Sequence, residues 1–187
     1  MYSKSTLRAI LLSVVFLLAV STSSYAKTLE RAEDAIARLF PRATFKEATI
    51  LLSAEERQAA GDLLGRPVEQ ALVSYFQIQT ENGRSVSAYL DAHRVRTLPE
   101  TLMLSVAQDG TIVSVDVLAF REPQDYMPRR AWYAQFSAKK FNPKLQLNRD
   151  IQGITGATLT GRATVKATRK MLCVHKVLQR RKPNASP

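Results

Sequence analysis

In this 187-residue chain, the residues most able to do chemistry lie in Gly153-Ile154-Thr155-Gly156-Ala157-Thr158-Leu159-Thr160-Gly161. Leu159, Ala163, Ala167, Met171, Val174 and Leu178 recur at helical spacing, which predicts a helix from near Thr160 to about Arg180. Thr160 is suited to be its N-cap. The first turn of a helix usually draws Asp or Glu, because its free N–H groups carry partial positive charge. Here no acidic residue occurs from Gly161 to Pro187. A helix start without its own carboxylate, led in by Gly and Ala, is a seat for an external phosphate. Gly156 would let the backbone approach closely and Ala157 would leave the adjacent space open. Thr155, Thr158 and Thr160 would put hydroxyls at the mouth. The same spacing equally suits an ordinary capped helix with threonines in its lead-in.

A second candidate stretch follows the last expected strand. Arg121-Glu122-Pro123-Gln124-Asp125-Tyr126-Met127-Pro128 holds two prolines too close together for regular structure. Trp132, Tyr133 and Phe136 come next. An aromatic loop carried on a rigid strand is a common place to grip a ligand. Glu122, Tyr126 and Trp132 are its candidate contacts, and Arg121, Arg129 and Arg130 would supply positive charge. For Tyr126 and Trp132, packing over the sheet edge is an equal alternative, whereas Phe136 reads as core. His93, set among arginines in Ala92-His93-Arg94-Val95-Arg96, reads as a surface residue. His93 and His175 are the only histidines and Cys173 the only cysteine. No internal disulfide and no Cys/His metal cluster can be built from them, and neither a catalytic acid–base pair nor a metal site is expected.

The elements that must position these residues follow from periodicity and turn signals. Thr28 to Phe40 carries helical spacing and stops at Pro41. Phe45 to Leu52 is β-rich. Ser53-Ala54-Glu55-Glu56 is a capping box opening a second helix that runs to about Gly65. Leu72–Thr80, Arg84–Leu90, Thr101–Ala107 and Thr111–Phe120 read as strands, with turns at Glu81-Asn82-Gly83 and Asp109-Gly110. Short connections imply antiparallel neighbours. The expected fold class is therefore α+β: an antiparallel sheet of hairpins packed with helices, the last helix following the threonine-rich stretch.

Charge and the N-terminus bear on location and partners. The net charge is +11. From Arg121 onward there are 15 Lys and Arg against three acids, and before it 12 against 13. The C-terminal third thus holds the basic excess and suits an anionic partner: a phosphate, an acidic redox protein or membrane headgroups. No nucleic-acid-binding motif is present. Lys4 and Arg8, an apolar run from Ala9 to Val20 and Ser24-Tyr25-Ala26 predict a secretory signal cleaved before Lys27. The expected organisation is a signal peptide (1–26), an N-terminal helical segment (27–66), a ligand-binding domain (67–180) and a basic tail (181–187), in a periplasmic protein.

Thr155-Gly156-Ala157-Thr158-Leu159-Thr160 resembles the flavinylation motif of the FMN-binding domain family. That family includes the C subunit of sodium-translocating NADH:quinone reductase and the G subunit of related electron-transport complexes. The resemblance, in layout, covers roughly Leu72 to Leu178. It implies FMN as cofactor, esterified through its phosphate to Thr158 by an exported flavin transferase with FAD as donor and a divalent metal. It also implies electron transfer to redox partners, some of them membrane-bound, either as a carrier or as a subunit of an oxidoreductase complex. The family carries Asp three positions before the first Ser/Thr of the motif, whereas this chain has Gln152 there, with Asp150 the nearest acid. The alternative is a cofactor-free binding module of the same fold that docks an acidic partner or a membrane surface through its basic C-terminal face.

Overall fold

The computed structural model describes residues 28–181. The expected signal segment, and all of the expected tail beyond its first residue, lie outside the described residues. The elements, in chain order, are β1 (Thr28–Leu29), α1 (Ala32–Leu39), β2 (Thr44–Leu51), α2 (Ala54–Leu64), β3 (Leu72–Gln79), β4 (Ser85–Arg94), β5 (Pro99–Ala107) and β6 (Ile112–Phe120). Short 3₁₀ turns at Gln124–Tyr126 and Ala134–Phe136 flank a one-turn helix α3 (Arg130–Tyr133), and the long helix α4 (Thr158–Leu178) ends the fold.

The six strands form one sheet in the order β1-β6-β5-β4-β3-β2. Every neighbouring pair is antiparallel, so the α+β expectation holds. The helical periodicity at the N-terminus is realised only from Ala32. Thr28 and Leu29 instead pair with Phe120 and Ala119, and the Glu30 N–H extends the ladder to Leu118 O at 2.7 Å. An open sheet edge has unpaired backbone groups to offer, and here they outweigh local helix preference. β2 pairs along its whole length with β3. The segment 27–66 thus supplies both edge strands as well as α1 and α2.

Side-chain alternation gives the sheet two buried faces. Phe76, Ile78, Val86, Ala88, Met103 and Leu118 pack on one face against Ala35 and Ile36 of α1. The other face presents Val73, Tyr75, Tyr89, Leu102 and Leu104 to α2 and α4, with Trp132, Phe136, Leu145 and Ile151 closing the same core. Cys173 lies in this core, fully buried, and burial pushes its thiol up to about 11.

Two polar devices fix the helices on this face. Ser53 and Glu56 form the expected capping box at the start of α2, and Gly65 ends that helix in the left-handed conformation. Glu56 also receives Arg181, at 2.5 and 2.6 Å, so the start of α2 is tied to the residues just past α4. Ser53→Ala removes the side-chain acceptor for the Glu56 N–H, and should cost about 0.5–2 kcal/mol. A thermal melt followed by circular dichroism should show a Tm lowered by a few degrees with an unchanged spectrum.

Candidate functional site

α4 begins at Thr158, two residues earlier than the periodicity suggests. Its N-cap is Ala157, which has no side chain able to cap it. Thr160 is therefore not the cap. It is the third helical residue, 1% exposed, and its hydroxyl donates to the Tyr126 carbonyl at 2.6 Å. The correction has a physical reason: a buried hydroxyl must find an acceptor, and the loop carbonyl packed against the helix supplies one. The N–H groups of Thr158, Leu159 and Thr160 are left without acceptors among the described residues, as Gly161 makes the first backbone bond of the helix, to Ala157 O.

The lead-in is shaped for access. Gly156 has φ +82°, and a Cβ built there meets nothing within 4 Å. Thr155 and Gly156 are exposed, while Ala157 is buried. The Thr158 side chain is exposed, and its hydroxyl donates to Ile154 O at 3.1 Å. The site is therefore an open helix start with a reachable hydroxyl, free backbone donors and no competing carboxylate, an arrangement that fits a phosphate. Arg162 lies one turn beyond Thr158, exposed and without a partner among the described residues. Side chains of a helix lean toward its N-terminus, so an arginine at this spacing leans toward Thr158. The i, i+4 relation was present in the sequence, but it depended on where the helix begins.

The aromatic loop divides into support and surface. Trp132 is buried, packs edge-on against Tyr133 and Phe136, and donates its indole N–H to Gln152 O at 2.8 Å. Gln152 N–H in turn donates to the Gln135 side chain at 2.8 Å. The backbone at the family's Asp position is thus fixed, and the Gln152 side chain is left exposed. Gly161 lets α4 approach Trp132 closely: a Cβ there would sit 3.3 Å from the indole ring. Glu122 is also buried, and one of its oxygens accepts the N–H groups of Arg96, Thr97 and Leu98 at 3.1, 2.7 and 2.8 Å. Burial alone would raise this carboxyl, but the three backbone donors outweigh it and hold it below its ordinary value. Tyr126 is half-buried, with the Arg96 guanidinium 4.6 Å above its ring. Of the loop candidates, Tyr126 alone joins the start of α4 at a partly open surface. Arg121, Arg129 and Arg130 are exposed.

His93 departs from its reading as a surface residue. Strand alternation puts Asp91 and His93 on the same face of β4, and the register sets His93 directly opposite Glu100 on β5. His93 Nδ1 lies 3.1 Å from Asp91, and Nε2 lies 3.1 Å from Glu100. Lys170 of α4 reaches Asp91 at 2.5 Å and Gln70 at 2.8 Å. Asp91 and Glu100 are buried, so two carboxylates are matched by two cations. Burial would lower the imidazole, but the two carboxyl groups overcome it and push His93 up to about 9. Burial raises Glu100, while His93 and Lys170 hold Asp91 low against its own burial. This group was illegible in the sequence because strand register, not chain proximity, assembles it.

Residues 98–173 match the family model described as FMN-binding domain. Over this part the chain is similar to that family. The matched stretch contains β5, β6, the aromatic loop, the open helix start and most of α4, and it supports FMN as the cofactor. No curated protein and no solved structure matches the chain. The match favours flavin binding over the cofactor-free alternative. The features that fit FMN are the open space beside Gly156, the free N–H groups of Thr158 and Leu159, and the exposed Thr158 hydroxyl.

Two expectations follow for the folded domain. Thr160→Val removes the hydrogen bond to Tyr126 O while preserving shape, and should cost about 0.5–1.5 kcal/mol in chemical denaturation. The second concerns pH. An unperturbed histidine titrates near 6.5. Because His93 is raised on folding, its contribution is complete below about 6.5 and disappears as pH climbs through about 9. Glu100, also raised, acts in the same direction. Tm should therefore fall between pH 7 and pH 10, the His93 contribution amounting to at most about 3 kcal/mol. In His93→Gln most of that slope should be gone.

Proposed function

We propose that this chain is an exported flavoprotein, that Thr158 carries FMN through a phosphoester, and that it relays electrons outside the cytoplasm. The observation that carries the reading is the exposed Thr158 hydroxyl at an uncapped helix start, within the stretch that matches the FMN-binding domain. The phosphodiester formed there carries one negative charge, which meets the unpaired N–H groups and the positive end of the α4 dipole, a favourable term of about 0.3–1 kcal/mol on an exposed helix. That orients a phosphate but is too weak to retain a cofactor, so a covalent bond at Thr158 supplies the retention. Arg162, one turn on, adds an exposed positive charge toward the same group.

When bound, FMN supplies redox chemistry that no side chain here could perform: it takes up electrons in pairs and releases them singly. The chain's own residues hold and orient. Thr160 ties the helix start to the Tyr126 turn, Trp132 fixes the backbone at Gln152, and Glu122 fixes the turn carrying Arg96. The proposed partners are a flavin transferase with FAD as donor and redox proteins that receive or deliver electrons, some of them membrane-bound. The basic excess after Arg121 suits acidic faces on those partners.

One experiment reads the main claims together. The full chain is coexpressed with a flavin transferase, and the exported product is analysed by intact mass and peptide mapping. The expected mass is that of a chain beginning at Lys27 plus one FMN less water, with the adduct on Thr158. Thr158→Ala should lose the adduct completely, whereas Thr155→Ala and Thr160→Val should keep it. FMN mapped to Thr155 or Thr160 would move the attachment, and a product retaining Met1 in the membrane would overturn export.

A further inference from the structure

We propose that the groove between β4 and α4 receives the isoalloxazine ring of the FMN, and that Lys166 and Arg94 there raise its midpoint potential. The inference rests on attachment at Thr158. It extends beyond the family match, because Arg94, His93 and the Arg66–Gln70 wall of the groove all lie before residue 98.

The groove holds about 630 Å³, within the roughly 300–1,000 Å³ usual for ligand sites. Its α4 side is made by Ala163, Lys166, Ala167 and Lys170. With Leu159 ahead of them, Ala163, Lys166 and Lys170 form one stripe at i, i+4, i+7 and i+11. The stripe begins one residue after Thr158. Leu159 is 48% exposed, and the small side chain of Ala163 leaves room beside it. At 1.5 Å per residue, Ala163 lies about 7.5 Å and Lys166 about 12 Å along the axis from Thr158. A ribityl arm tethered at Thr158 covers that first interval, and a three-ring system covers the second. The same end of α4 is joined to Tyr126, whose ring carries Arg96 from the turn after β4. A second depression along α4, lined by Arg162, Val165 and Arg169, holds only about 290 Å³.

The charge in the groove is complementary to a reduced flavin. A ring that has accepted two electrons and one proton carries one negative charge, and neighbouring cations favour that form. The acids lining the groove are Asp91 and Glu69, with Glu100 buried behind His93. Asp91 is already matched by His93 and Lys170, and Glu100 by His93. Arg94 and Lys166 are exposed and have no partner among the described residues. The remaining acid, Glu69, is outnumbered by Arg66, Arg94 and Lys166 in the same lining, so net positive charge is available to the ring.

The test uses the flavinylated exported protein, with attachment at Thr158 first verified by peptide mapping. Midpoint potential is measured by spectroelectrochemistry and ring accessibility by iodide quenching of flavin fluorescence. Lys166→Glu and Arg94→Glu should each make the potential more negative. Ala163→Trp, which fills the groove, should raise the quenching constant at least twofold. Lys176→Glu serves as the control: it carries the same charge change on an exposed residue of α4, about 27 Å along the axis from Thr158. If all three groove variants match this control, the ring lies elsewhere and the groove assignment is overturned while the attachment stands. If FMN is bound with no bond to Thr158, the attachment falls, and the same two measurements on the noncovalent complex decide the groove. A chain that takes up no FMN in either form overturns both.

Discussion

The hydroxyl of Thr160 donating to Tyr126 O is the contact on which the site's geometry turns. It joins the third residue of α4 to the loop leaving β6, over 34 positions of chain. Spent there, the hydroxyl is unavailable to cap the helix, and Ala157 cannot do so. The helix is consequently seated without its own terminus being satisfied. Loop and helix are positioned as one body, and of the unsatisfied donors those of Thr158 and Leu159 belong to exposed residues, where an anion can approach. Trp132 reinforces the same arrangement by packing under Gly161 and holding the Gln152 carbonyl.

A second constraint lies deeper along the same helix. Asp91, Glu100, His93 and Lys170 join β4, β5 and α4 through buried charge. Breaking one partner of such a group leaves an uncompensated ion in the interior, which is far more costly than the intact group is favourable. The helix is therefore held to the sheet by polar specificity at one level and by Met171, Leu172 and Val174 at the next. Such mixed anchoring fixes axial position as well as attachment, because a slide of one residue would separate Lys170 from Asp91.

Much of this architecture was legible in the residue pattern. The hairpin strands, the Ser53–Glu56 capping box and α4 declare themselves by period and turn chemistry, which are local properties. Two features escaped because they are not local. Thr28 and Leu29 become a strand only because β6 offers them a free edge. His93 looked like a solvated loop residue because its two carboxylates come from its own strand face and from the strand opposite, a juxtaposition fixed by register. The start of α4 was misread for a related reason. A threonine ahead of an apolar stripe is the usual sign of a cap, and only the loop carbonyl above it reveals that Thr160 is otherwise engaged. The motif itself was readable; the Arg162 relation to Thr158 had to wait for the correct first residue.

Cys173 carries a consequence for handling the molecule. Its sulfur is enclosed and its thiol is held protonated through the ordinary working range. A thiol in that condition neither exchanges with disulfides nor reacts readily with oxidants or alkylating agents. Among the cysteines of this chain there is no other. The folded domain is thus indifferent to the redox poise of its surroundings as far as thiol chemistry is concerned. It can be kept in air without reductant, and modification of Cys173 by a thiol reagent becomes a direct count of molecules that have opened their core.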